Sequence, residues 1–252
     1  MRLVIAEKKS VATAIAQALC AAPVQKDGCY ECGQLLVTWA QGHLIDLAMP
    51  EDYKDRDWGK WSLDTLPVDP SGHWQWKIST ERGAGSRYRQ IVQLIRRADV
   101  DCLVNACDPD REGEAIFRRI ADMEGSRKPE LRLWVASLEA EAIQAAWRAM
   151  KPESEYRGLA WSAEIRSKAD WLTGMNASRA YSLLYNARFS VGRVQTPTLA
   201  MIAERDRQIR SHKPVPFWTV IADMGGWRLS SERIDSKDAA MLLRGQVERG
   251  RF

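Results

Sequence analysis

The sequence predicts an α/β fold: a mainly parallel sheet flanked by helices, then a mostly α-helical segment, then the start of a β-containing piece. Three observations predict it. Short apolar runs at residues 3–6, 35–40, 101–106 and 131–136 alternate with helix-like segments over the first 150 residues, the pattern of a parallel sheet covered by helices. Residues 155–212 carry few strand signals and read as helices interrupted at 186–192. Pro214 and Pro216 then mark a boundary, since proline ends both helices and ladders. The domains read as 1–153, 154–213 and 214–252.

The elements follow in order. Residues 3–6 form a buried strand, and Ser10 opens a helix whose apolar face is Val11, Ala14, Ile15, Ala18 and Leu19, at helical spacing. Asp27-Gly28 marks a hairpin turn. Residues 46–85, rich in Trp, Pro, Asp and Gly, read as a long loop or insertion, a length that tends to be functional or mobile. Helices are expected over 87–98, 113–123 and 138–150. Ser137 suits the N-cap of the last, with Glu139 and Glu141 in its first turn. Beyond Pro216, residues 217–222 and 227–229 read as strands around Gly225-Gly226, and 236–246 as a short helix.

Composition bounds the function. The chain has 252 residues, 45% of them apolar, enough for one large domain or two ordinary ones. No run of 18 apolar residues predicts a membrane span, and no apolar signal core precedes a cleavage site, so a cytoplasmic protein is the default. Five cysteines at irregular spacing suit a reducing compartment. Cys29-x-x-Cys32 is half a zinc pattern without a second half, and the hairpin turn beside it is the stronger reading. Residues 151–213 hold eleven Lys or Arg against six Asp or Glu. Such an excess is the footprint of a phosphate-contacting surface, though a solvated helical face reads the same from charge alone.

The most informative run is Asn105-Ala106-Cys107-Asp108-Pro109-Asp110-Arg111-Glu112-Gly113-Glu114. It sets carboxylates at Asp108, Asp110 and Glu112 just beyond a buried strand. Alternating carboxylates there can converge on a hard cation, and Mg²⁺ is usually held by one or two of them with waters and phosphate. Pro109 biases Asp108 to an extended backbone, so both aspartates are expected to point one way. Alone, the run reads equally as a solvated acidic turn before a helix. Glu7-Lys8, directly after the first strand, adds a second acidic strand end at the sheet edge where ligands of open α/β folds bind. Two acidic strand ends beside a lysine suit phosphoryl-transfer chemistry.

These two motifs together resemble the Toprim domain of type IA DNA topoisomerases, the bacterial topoisomerase III branch above all. The likeness continues through Val37-Thr38-Trp39-Ala40-Gln41-Gly42-His43-Leu44, through Trp61-Ser62-Leu63 before Leu66-Pro67, and through residues 169–180. Ser190-Val191-Gly192-Arg193-Val194-Gln195-Thr196-Pro197-Thr198-Leu199 is its most specific block. The blocks cover most of residues 1–213 in the family's order. Lys9 stands where that branch usually has Pro.

The resemblance implies a Toprim domain, a helical DNA-binding domain and the beginning of the arch or gate domain. It implies Mg²⁺ held by Glu7, Asp108 and Asp110, with Glu112 as an alternate ligand, and Lys8 and Arg193 on the scissile phosphate. It places Trp61, Arg166, Lys168, Trp171, Arg179 and residues Ser190, Val191, Gly192, Arg193, Val194 and Gln195 on single-stranded or negatively supercoiled DNA. His43 reads as a proton carrier or, more simply, as a structural residue of its turn. The family's nucleophile is a tyrosine in a Tyr-Pro-Arg context. None of Tyr30, Tyr53, Tyr88, Tyr156, Tyr181 and Tyr185 is followed by Pro-Arg. The implied role is the N-terminal part of such an enzyme, nucleoid- or plasmid-associated, partnered by the remainder of the topoisomerase chain and inactive alone. A self-sufficient Toprim nuclease or primase-like nucleotidyl enzyme is the alternative.

Overall fold

A computed structural model describes residues 1–250. The chain forms two compact units, Met1–Gln195 and a second from Thr196 onward. The first is built on a seven-stranded sheet. Its elements are β1 (Arg2–Ala6), α1 (Lys9–Leu19), β2 (Val24–Lys26), β3 (Cys29–Cys32), β4 (Leu35–Trp39), β5 (Ile45–Leu47), β6 (Trp76–Ile78), α2 (Ala84–Ile95), β7 (Cys102–Ala106), α3 (Arg111–Glu124), β8 (Glu130–Arg132), α4 (Ala140–Arg148), β9 (Lys151–Pro152) and α5 (Arg157–Leu184). The strand order is β2-β3-β4-β1-β7-β8-β9, with β5 and β6 pairing separately.

β4, β1, β7 and β8 are parallel, and the hairpin at one edge and β9 at the other are antiparallel. The central strands are apolar throughout because both sheet faces are covered. Leu3, Ile5, Leu36 and Leu103 face Ile91 and Ile95 of α2 and Phe117 and Ile120 of α3. Val4, Ala6, Val37, Val104 and Ala106 face Ala12, Ile15 and Ala16 of α1 and Ile143 of α4. Fully burying one such Leu or Ile contributes about 1.5–3 kcal/mol.

The topology creates the site. From β1 the chain moves to β4 on one side, then returns to lay β7 on the other. At such a switch point the connections diverge and leave a crevice beyond the strands' carboxyl ends. The last residues of β1 and β7 are in register, Ala6 opposite Ala106. Glu7 and the acidic run therefore emerge side by side.

The segment expected to be a long loop holds more structure than its composition suggests. Trp76–Ile78 pairs with Ile45–Leu47, and Val68 is fully buried. Asn176 of α5 holds this segment through Val68, accepting from its amide at 2.6 Å and donating to its carbonyl at 2.9 Å. β8 ends at Arg132, short of the expected residue 136, and α4 starts later than expected, with Glu139 at its N-cap. Ser137 instead accepts from the Glu139 amide.

Irregular cysteine spacing suits a reducing compartment, yet the fold brings two of the five together. Cys20, at the C-cap of α1, and Cys32, at the end of β3, form a disulfide with Cα atoms 6.3 Å apart. The β2–β3 hairpin folds back to bring them together, and Cys29 is left as a buried strand residue opposite Thr38. Half a zinc pattern is thereby accounted for by other partners.

Apart from its first residue, α6 (Gln195–Arg210) belongs to the second unit, with β10 (Ile221–Asp223), β11 (Arg228–Ser230) and α7 (Lys237–Glu248). β10 and β11 form an antiparallel hairpin around Gly225-Gly226, both at positive φ. Ser236 caps α7 by accepting from the Ala239 amide. Among the described residues, no helix is long and apolar enough to cross a membrane.

Candidate metal and nucleic-acid site

Glu7 follows β1 directly. Its carbonyl accepts from the amides of Gln41 and Gly42, residues at φ 76° and 85° that turn the chain sharply after β4. The Glu7 backbone is thus held against the turn that follows β4. Lys8 lies between two carboxylates, its Nζ 3.0 Å from Glu7 Oε1 and 3.0 Å from Asp108 Oδ2. These hydrogen bonds raise the Lys8 pKa above its usual value, so it stays an ammonium.

The two aspartates do not point one way. Asp108 faces Lys8, whereas Asp110 is the N-cap of α3 and accepts from the Gly113 amide at 2.8 Å. Capping satisfies an amide that the helix leaves unpaired, and it turns Asp110 away from its neighbour. Gly113 is obligatory here: a Cβ would lie 2.1 Å from the Asp108 carbonyl oxygen. The tight turn exists because that position has no side chain.

Glu112 lies among cations. Its Oε1 is 3.2 Å from Arg166 Nη1 and 3.7 Å from Arg111 Nε. His43 Nε2 is 3.8 Å from its other oxygen. Arg119 Nη1 is 3.1 Å from His43 Nδ1. Arginine has no acceptor, so His43 Nδ1 accepts and its proton sits on Nε2, toward Glu112. Burial, then the Arg119 charge, lowers the His43 pKa, which keeps the ring neutral near pH 7. Among the described residues, no three His, Cys, Asp or Glu side chains form a ready cation cage.

Arg193 is bidentate on Asp170, at 2.7 and 3.3 Å. Asp170 also pairs with Arg166 at 3.6 Å. Charges alternate from the acidic loop outward: Glu112, Arg166, Asp170, Arg193. Along the Arg193 segment, Ser190 accepts from Gln195 Nε2 at 2.7 Å. Val191 is tied to Ser178 of α5 through both its amide and its carbonyl. A Cβ on Gly192 would meet Gln195 Nε2 at 2.9 Å, and Val194 is exposed.

Lys168 pairs with Glu164 and lies 5.6 Å from the Trp74 ring centre. Trp74 meets Trp171 edge-on at 5.4 Å. Trp61 is 49% exposed, with the Arg179 guanidinium 5.2 Å from its ring centre. Arg179 itself is 2% exposed. It donates to the Trp58 carbonyl at 2.5 Å, so it pins the 46–85 segment and is withheld from a nucleic-acid backbone.

Sequence reasoning missed what holds the acidic loop. Arg132, fully buried, binds Glu114 through Nε at 2.6 Å. Its remaining donors reach the carbonyls of Asn105, Cys107, Asp108 and Leu133 at 2.8–3.2 Å. One guanidinium thereby clamps the whole turn out of β7. The available signal was an arginine flanked by apolar residues at the end of a strand, Leu131-Arg132-Leu133.

The Toprim domain family matches residues 2–138, the two carboxylate-bearing strand ends included. The chain belongs to the Toprim family. A second family, described as DNA topoisomerase, matches residues 154–251. DNA topoisomerase 3 of Bacillus subtilis is 38% identical over 235 residues, which is 93% of this chain and 32% of that protein. DNA topoisomerase 3 of Staphylococcus aureus strain MRSA252 is 36% identical over 239 residues, 94% of this chain and 33% of that protein. This Toprim chain thus spans about a third of the length of the curated relatives it matches. The solved structure of full-length topoisomerase I from Thermotoga maritima has a TM-score of 0.61 and 20% identity, covering 97% of this chain and 37% of that one. At that identity the likeness is one of fold.

Toprim domains bind divalent metal, and the donors here fit a hard cation. Glu7 and Asp108 present carboxylate oxygens to a single cationic centre, the Lys8 ammonium, and oxygen is the ligand such cations take.

Proposed function

We propose that this chain supplies the Mg²⁺ site and part of the single-stranded DNA path of a type IA DNA topoisomerase of the topoisomerase III kind. The reading is carried by one observation: Glu7 and Asp108, from adjacent parallel strands, converge on one cation at the sheet's carboxyl edge. The match of residues 154–251 to a DNA topoisomerase family favours it over a free-standing Toprim nuclease.

Glu7 and Asp108 would hold the ion, with the uncommitted oxygen of Asp110 and the Glu112 carboxylate within the same turn. Bound there, Mg²⁺ would supply charge neutralisation at a phosphate. Lys8, displaced from between the carboxylates, is long enough to turn toward a phosphate oxygen while keeping its proton. Arg193 can offer a planar fork to a phosphodiester once it leaves Asp170, and Arg166 lies beside the same path. Trp61 and the Trp74–Trp171 pair would provide base-stacking surfaces, which bind single strands without sequence preference. Strand breakage and rejoining, a covalent tyrosine intermediate, the remainder of the topoisomerase chain as partner, and a nucleoid- or plasmid-associated place in the cytoplasm complete the proposal.

Calorimetric titration with Mg²⁺ tests it. The native chain should bind, and Glu7→Gln combined with Asp108→Asn should abolish binding. Equal affinity in the double variant would refute the site. In a gel assay of negatively supercoiled plasmid with Mg²⁺, unchanged plasmid fits a chain that supplies a site without the nucleophile. Nicked product would instead favour the nuclease.

A further inference from the structure

A second cluster of ionisable groups lies beneath the acidic loop. Asn105 Nδ2, fully buried, donates to Glu114 Oε2 at 2.9 Å and to Glu153 Oε1 at 3.1 Å. Glu114 is fully buried and Glu153 is 5% exposed. Arg132, the one guanidinium in this network among the described residues, is committed to Glu114 and to backbone carbonyls. Two carboxyl groups therefore share one positive charge. Glu153 Oε2 is buried and receives no hydrogen bond. An ionised oxygen there would be a buried charge without a partner, which proteins avoid by holding a proton.

We propose that Glu153 is a positioning residue for the acidic loop: as a neutral acid it completes the Asn105–Glu114–Arg132 network that fixes the Asp108 carbonyl, and ionised it disrupts that network. Burial first, and the Glu114 carboxylate beside it, push the Glu153 pKa up to about 8. The groups facing it are Asn105 from β7, Glu114 from α3 and Arg132 from β8. A cavity of about 230 Å³ on its other side is lined by Arg118, Lys128, Glu130 and Arg157. Arg118 is bound to Glu130, and Lys128 to the carbonyls of Arg97 and Val100. Glu153 opens the short 3-10 turn Glu153–Tyr156 that leads directly into α5, the helix that carries Arg166 and Asp170. The network therefore ties the foot of that helix to the loop bearing Asp108, so one proton maintains the register between the two halves of the candidate site.

The functional meaning rests on the proposed role of that loop, but the test needs no metal. Amide hydrogen exchange of the intact chain is followed from pH 7 to 9.5 without Mg²⁺, corrected for the intrinsic rate. Residues 105–114 report the loop, and residues 2–7 serve as reference. One pH unit above its pKa a group is about nine-tenths ionised, so native loop protection should fall about tenfold by pH 9. The reference strand should hold, and Glu153→Gln, which mimics the neutral acid, should keep loop protection level. The same fall in Glu153→Gln, no fall in the native chain, or an equal fall in the reference strand would overturn the proposal. Where the variant does not fold, the native loop measured against its own reference decides alone. Failure to bind Mg²⁺ at pH 7 with the loop protected as expected would refute the proposed function and leave this inference standing.

Discussion

Arg132 reaches from the interior to the carbonyl of Asp108 at 2.8 Å while its Nε binds Glu114 at 2.6 Å. The position of a surface carboxylate is thus set by a buried cation. Removing one partner of a buried pair typically costs about 3–5 kcal/mol, because the other charge is left uncompensated. Arg132→Met should lose that much in urea unfolding. Arg132→Lys should recover part of the stability but little Mg²⁺ affinity, since an ammonium cannot reach a carboxylate and four carbonyls at once. Equal Mg²⁺ affinity in Arg132→Lys and the native chain would count against the clamp.

Gly113→Ala places a methyl group 2.1 Å from the Asp108 carbonyl oxygen, a distance that forces the turn to move. The expected result is a stability loss within the range of about 0.5–3 kcal/mol common for point changes, together with weakened Mg²⁺ binding. Gly158→Ala is the control. That helical glycine has nothing within 4 Å of a Cβ, so alanine there should stabilise by about 0.4–1 kcal/mol. Thermal melting of both variants distinguishes the two sites.

Arg193 and Arg166 are both engaged by Asp170. A phosphate must compete with that carboxylate. Asp170→Asn should tighten single-stranded oligonucleotide binding two- to fivefold at low salt, on the scale of about 0.2–1 kcal/mol per exposed pair. It should also steepen the dependence on salt, as more cationic side chains reach phosphates. Fluorescence anisotropy at two ionic strengths reads both effects. Weaker binding in Asp170→Asn would mean that Asp170 orients Arg193 for DNA.

The raised pKa of Glu153 has a definite sign in stability. The folded chain keeps a proton that the unfolded chain releases above about pH 4.3. Between there and about pH 8 the unfolded state binds fewer protons, so stability falls as pH rises, by at most about 1.4 kcal/mol per unit. Above pH 8 both states have released it and the contribution is level. Glu153→Gln lacks this slope. Urea midpoints at pH 5, 6.5 and 8 should therefore show the native chain losing ground steadily to the variant, and parallel curves would contradict the assignment.

The mainly parallel sheet was legible because the central strands are buried on both faces, whereas the strand order that makes the switch point was not. Leu3-Val4-Ile5-Ala6 has no other plausible home. The acidic edge was legible as well, since strand ends bearing carboxylates are rare enough to notice. The supports beneath it were not. Arg132, Glu114 and Glu153 read in sequence as solvated charges, and only the three-dimensional partners reveal that they are sealed from water. Arg179 misled in the same way: a basic residue on a helix suggests a phosphate contact, yet it is turned inward on the Trp58 carbonyl. The Cys20–Cys32 link could not be read because nothing in a twelve-residue spacing says that a hairpin will fold back on the end of α1.

Lys8 gives the site the character of an ion exchanger. The two carboxylates already hold a counter-ion of their own, covalently leashed to the chain and fully protonated at neutral pH. In the proposed function an arriving divalent ion would replace that ammonium and release no proton, so the charge of the pocket would rise by one unit while the displaced ammonium stayed within reach. Occupancy and the delivery of a positive arm toward an incoming strand would then be a single event.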